Sequence, residues 1–130
     1  MWDSLDRTQT PPPQQLPDLS VASVDIFPSE PRAGERFTAV VYVANIGSAS
    51  SGEYDLAMNM KDVSRGSAYP VGTFRQSPLQ PGEQVAAWSS DQLMVNEPGA
   101  HQFRVEIKPF NFNDRNEQNN VYGWAFTVSS

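Results

Sequence analysis

The chain has 130 residues, with 9 basic against 15 acidic side chains and a formal charge of −6. That length suits one domain, and the acidic balance argues against nucleic acid, because a duplex binder needs a cationic surface to displace counterions. With no cysteine, a disulfide scaffold, a thiolate nucleophile and thiolate-held metal are excluded, and no apolar run approaches the roughly 20 residues of a membrane span.

Residues 1–17 differ from everything after them. Trp2-Asp3-Ser4-Leu5-Asp6 is acidic and lacks the apolar core of a signal peptide. The polar, proline-rich run from Thr8 to Pro17 predicts an extended, polyproline-like arm. Pro11, Pro12 and Pro13 lack amide donors, so the arm is expected to add no strand to a ladder and to leave the domain at Asp18. It reads two ways, as a leader without fixed structure or as an arm that docks Trp2 and Leu5 on a neighbouring subunit.

From Asp18 to Ser130 the pattern alternates at period two, which predicts strands. Residues 19–26 form the first, closed by Pro28 and Pro31. Ala33-Gly34-Glu35 turns into a second strand whose inward row is Phe37, Ala39, Val41 and Val43. After a loop, Tyr54, Leu56, Met58 and Met60 alternate again, and residues 69–74 read as a short fourth strand. Pro81-Gly82 and Pro98-Gly99 both carry turn chemistry, proline fixing φ and glycine accepting a positive one. The first launches residues 83–89, with Val85 and Ala87 on one face and Trp88 on the other. The second launches residues 101–108, with Phe103, Val105 and Ile107 inward. Tyr122, Trp124, Phe126 and Val128 share one face of the last strand. About seven short strands at turn spacing, with no helical period, predict an all-β, antiparallel, immunoglobulin-like sandwich. Val41, Val43, Leu56, Phe103, Val105, Trp124 and Phe126 are its expected buried core.

Four segments of this chain resemble the CARDB family, the cell-adhesion-related domain found in bacteria. Leu16-Pro17-Asp18-Leu19-Ser20-Val21 is similar to the family's opening into the first strand. Val41-Tyr42-Val43-Ala44-Asn45-Ile46-Gly47 is similar to its second strand and Asn-x-Gly ending. Leu79-Gln80-Pro81-Gly82-Glu83 resembles its Leu-x-Pro-Gly-Glu turn, and residues 114–120 resemble its closing acidic segment. The resemblance spans about residues 16–128. It implies a seven-stranded sandwich and a non-catalytic module of extracellular bacterial or archaeal proteins, and it implies no substrate. Lys108 stands where many relatives have an aspartate, and the loop after it is about a residue short. Both departures bear on metal binding.

No catalytic constellation stands out. His101, the single histidine, reads as a surface residue beside Pro98-Gly99, and no Gly-x-Ser-x-Gly nucleophile motif occurs. The segment 111–120 concentrates hard oxygen donors, so Asp114, Glu117 and Asn119 are candidate ligands of a weak calcium site. The competing reading makes Asp114 and Glu117 turn-organising acceptors of backbone amides, with Lys108 opposing a cation. No cofactor is expected beyond such a calcium ion. Phe110, Phe112 and Trp88 are the exposed apolar candidates, and the two phenylalanines either mark a contact surface or plug the sandwich end.

These features point to a non-enzymatic structural or interaction module that presents a binding surface to a protein partner or to neighbouring subunits. Its expected setting is extracellular, as an adhesion or spacer domain of a prokaryotic surface protein. The alternative is a stand-alone protein coating a large assembly, such as a virion decoration protein. A carbohydrate ligand stays open, and fold alone does not choose among these.

Overall fold

Alternating apolar side chains form strands here because each strand can bury one row against an opposing sheet while its other row meets solvent. The computed structural model describes residues 16–110, 112 and 120–130, and these form seven strands. They are β1 (Leu19–Phe27), β2 (Arg36–Asn45), β3 (Tyr54–Asp62), β4 (Ala68–Gln76), β5 (Gln84–Met94), β6 (Gly99–Pro109) and β7 (Val121–Val128). β1-β2-β5 make a three-stranded sheet and β4-β3-β6-β7 a four-stranded one, with every ladder antiparallel. This is the expected two-sheet sandwich.

The core follows the predicted phase. Phe37, Ala39, Val41 and Val43 of β2 face Tyr54, Leu56, Met58 and Met60 of β3 and Phe103, Val105 and Ile107 of β6, all buried. In β1 a bulge at Ala22 shifts the phase, so that Leu19 and Val21 before it and Val24 and Ile26 after it all point inward. An extra residue in one strand of a pair does this by turning the strand about its axis.

Three expectations are corrected. Trp88 does not sit on the face opposite Val85. Val41 pairs with Trp88 and Tyr42 with Ala86, so Ala87 is an inserted residue and Trp88 turns inward. Its ring lies 6.1 Å from Phe103 and 5.6 Å from Phe74. Trp124 has the inward phase but stays 38% exposed, whereas Phe126 on the same row is 7% exposed. β7 is an outer strand of the wider sheet, so Trp124 has a strand neighbour on one side only. Finally, Pro98-Gly99 is no turn. Gly99 begins β6 at φ 124°, while Pro81-Gly82 does form the expected corner, with Gly82 at φ 81° and Glu83 N bonded to Gln80 O at 3.0 Å.

The strand directions set two ends. Leu16, the β2–β3 and β4–β5 connections and the end of β6 meet at one end, where Ser48 N bonds Leu16 O, Ser51 N bonds Leu79 O and Phe110 N bonds Glu53 O. The β1–β2 connection, residues 63–67, residues 95–98 and Ser129 lie at the other, joined by Gly34 N to Val95 O and Ala33 N to Ser129 O. An odd number of antiparallel strands therefore brings the chain in at one end and out at the opposite one.

Candidate interaction surface

The end at which the chain enters is organised by one side chain. Asn45 is fully buried, and its Oδ1 accepts from Asp18 N at 3.1 Å and Gly47 N at 3.0 Å. Its Nδ2 donates to Ala49 O at 2.8 Å and Leu79 O at 3.0 Å. Its main chain is paired as well, Asn45 N to Glu83 O and Gly82 N to Asn45 O. A buried amide that fills all its bonds is rigid and stabilising, and leaving one unmade is costly. Gly47 completes the arrangement, because a Cβ there would lie 2.4 Å from Leu16 O and 2.5 Å from Asp18 N. Three of the four sequence segments that carry the family resemblance thus converge on one knot. Their residue types are required by how three chain segments cross, and no ligand is needed to explain them.

Around that knot lie the described contact candidates. Phe110 is 55% exposed, and the Arg75 guanidinium stacks over its ring at 3.9 Å. Asp55 bonds Arg75 Nε at 2.6 Å and Glu53 bonds its Nη1 at 3.3 Å. The hydrogen bond to Asp55, opposed by partial burial, with Glu53 adding to it, holds the guanidinium above its ordinary value. Phe112 behaves differently. It is half-buried and packs against the core. Trp2, Leu5, Asp114, Glu117 and Asn119 lie outside the described residues, so neither the arm's anchors nor the calcium candidates are placed. Beside them, Asn120 is buried with its Oδ1 unpaired, and Lys108 is exposed on the outer row of β6. Among the described residues no three acidic or histidine side chains gather as a metal would need.

The opposite end holds a cleft of about 420 Å³ lined by Asp62, Arg65, Tyr69, Met94, Glu97 and His101, among others. His101 is 1% exposed, which overturns its reading as a surface residue. The signal was present in the sequence, since His101 shares parity with the inward Phe103, Val105 and Ile107. Its Nε2 meets Glu97 O at 2.7 Å, and its ring lies 5.9 Å from Phe126. Arg65 bridges Asp62 at 3.0 Å and Glu97 at 3.3 Å. Burial pushes the Asp62 carboxyl up, but the Arg65 amide, guanidinium and charge outweigh it and leave the carboxyl below its usual range. With both carboxylates paired to one guanidinium, this cluster is a strap between the β3–β4 turn and residues 95–98. It has the geometry of a structural tie, in which the buried Nδ1 of His101 is left without a partner.

Two antiparallel sheets, alternating buried rows and a chain that enters and leaves at opposite ends define an immunoglobulin-like β-sandwich module. The CARDB family model matches residues 16–123. The chain belongs to that family, one of non-catalytic domains. A CARDB domain from Pyrococcus furiosus in complex with di-metal ions superposes with a TM-score of 0.68 at 19% identity, covering 89% of this chain and 96% of that one. A domain of a protein described as a cell surface protein, from Methanosarcina acetivorans, gives 0.63 at 19% identity, covering 87% and 92%. A β-glucosidase from Erythrobacter marinus contains a similar sandwich, TM-score 0.57 at 16% identity, over 86% of this chain but 15% of the enzyme. At these identities the likeness is one of fold. No curated protein matches the chain. Among the described residues, no helix is long and apolar enough to cross a membrane.

Proposed function

We propose that the chain is a non-catalytic adhesion or spacer module of a prokaryotic cell-surface protein. The observation that carries this reading is the placement of Leu16 and Ser129 at opposite ends of the sandwich. A module of that geometry extends a chain in line by about the length of a ten-residue strand, roughly 34 Å at 3.4 Å per residue. The family and the Methanosarcina neighbour support a surface setting. The end that carries the knot, with Phe110 and Arg75 exposed upon it, supplies the contact surface for a protein partner. Antibody raised against the purified chain should label intact cells that make it. Labelling that needs permeabilised cells would place the protein inside and sink the surface reading.

The loop 113–119 is read, on the same footing, as a turn closed by Asp114 and Glu117 through backbone amides. The Pyrococcus neighbour is described with two metal ions. In this chain the donors that would hold such ions reduce to Asp114, Glu117 and Asn119, with Lys108 opposing them. Two carboxylates in a ten-residue segment suit turn closure better than the six to eight oxygen ligands calcium takes.

A further inference from the structure

The four outer strands of the sandwich are protected unequally. A free strand edge offers unpaired N–H and C=O groups to another chain, and proteins blunt such edges with bulges, prolines and charges. β1 has the bulge at Ala22 and carries Asp25. β4 contains Pro70, Gly72 at φ 151°, Arg75 and a break in register. β5 has two breaks in register and Asp91. β7 has none of these. Its eight residues, Val-Tyr-Gly-Trp-Ala-Phe-Thr-Val, include no charge and no proline, and its ladder with β6 runs unbroken from Val121 to Val128. Among the described residues only the position after it is covered, where Ser129 bonds Pro31 and Ala33.

The same strand carries the side chain that the sandwich fails to cover. Trp124 stacks on Tyr122 at 6.5 Å, with 16° between the rings, and remains 38% exposed on the inward row. On its outer side no strand among the described residues flanks it. An added strand beside β7 would satisfy the open edge and cover Trp124 together.

We propose that the β7 edge pairs with β7 of a second copy of this chain, antiparallel about a twofold axis near Trp124. The strand is suited to its own copy. In a chain of net charge −6, it is an edge on which two copies meet with no like charges opposed. Trp124 lies near its middle, so a twofold there sets each Trp124 beside the other, within about 4.5–5.5 Å between Cβ atoms. It also sets each Tyr122 opposite the second copy's Phe126. The two four-stranded sheets become one of eight strands, and the contact closes as a dimer because it is isologous.

Sedimentation of the full chain at concentrations up to about 1 mM, the weak end of specific association, tests this. The natural chain should form a reversible dimer. Trp124→Lys and Trp124→Glu should each be monomeric and still melt in one cooperative transition, and an equimolar mixture of the two should dimerise again. Thr127→Lys, at an exposed position of the same strand, should weaken the dimer without touching the core. A natural chain that stays monomeric overturns the proposal and leaves the edge to a strand of another protein. So does dimerisation undiminished by the Trp124 variants, a mixture that stays monomeric, or assembly that grows past two copies. The readout is independent of where the protein resides, so it stands or falls apart from the surface reading.

Discussion

Replacing Asn45 with alanine would remove its bonds to two amides and two carbonyls at once, those to Asp18 N and Leu79 O buried and those to Gly47 N and Ala49 O part-buried. Each buried group left unpaired costs about 1–3 kcal/mol, and relaxation recovers part of the sum. We expect a loss of about 3 kcal/mol in urea denaturation. Asn45→Asp should not rescue it, because a carboxylate oxygen would face the carbonyls of Ala49 and Leu79 that now accept from Nδ2. Tyr54 makes a second prediction at this scale. Its burial, with the Glu83 charge adding to it, pushes the phenol up to about 12 from the ordinary 10.0. A raised phenol favours the proton in the folded state, so this contribution is complete below pH 10 and is lost as pH climbs from 10 towards 12. A gap of that size is worth about 2–3 kcal/mol. Tyr54→Phe should flatten the alkaline limb of a stability–pH curve. An unchanged limb would show that other groups set it.

The strands test whether phase and coverage are separate properties. Phe126 and Trp124 lie on one row of β7, yet only Phe126 is enclosed, its ring 5.8 Å from that of Phe37 and tilted 54° to it. Phe126→Ala should cost about 3–5 kcal/mol, the range for large core aromatics. Trp124→Ala should cost less than half as much in the dilute monomer. Equal losses would mean that Trp124 is covered in solution by something beyond the described residues. The loop before β7 makes a different demand. If Asp114 and Glu117 only close a turn, millimolar calcium leaves the melting temperature unchanged. A rise of several degrees that a chelator reverses would show a ligand bound to the native state.

The whole domain depends on where packing starts. Pro17 and Asp18 are buried, and Leu16 O is bonded to Ser48 N at 3.1 Å. Removing residues 1–15 should therefore shift the melting temperature by no more than about 1 °C. Removing residues 1–18 deletes the segment laid over Gly47 and the amide held by Asn45, and should lower it by about 5 °C or more, since 1 kcal/mol moves a domain of this size several degrees. Comparable melting of both truncated forms would mean that the knot is held by the two later segments alone.

The sequence by itself determined the class of fold, the number of strands and most of the core. Period-two rows such as Phe37-x-Ala39-x-Val41-x-Val43 have one way to bury their apolar half, and Pro81-Gly82 marks a corner between strands as its turn chemistry predicts. It also held the family segments, although their shared purpose was not visible until Asp18, Asn45, Gly47, Leu79 and Glu83 were seen to meet. Only the tertiary structure decided the rest. The bulge at Ala87 turned Trp88 inward, because an inserted residue is visible only against the partner strand it interrupts. Its place on an outer strand left Trp124 38% exposed, because exposure depends on what surrounds a side chain, and the strand's own alternation carries no record of that. His101 was legible in parity but not in partner, since Glu97 reaches it through the path of a loop. Local pattern sets which face a side chain takes, and long-range pairing sets what that face meets.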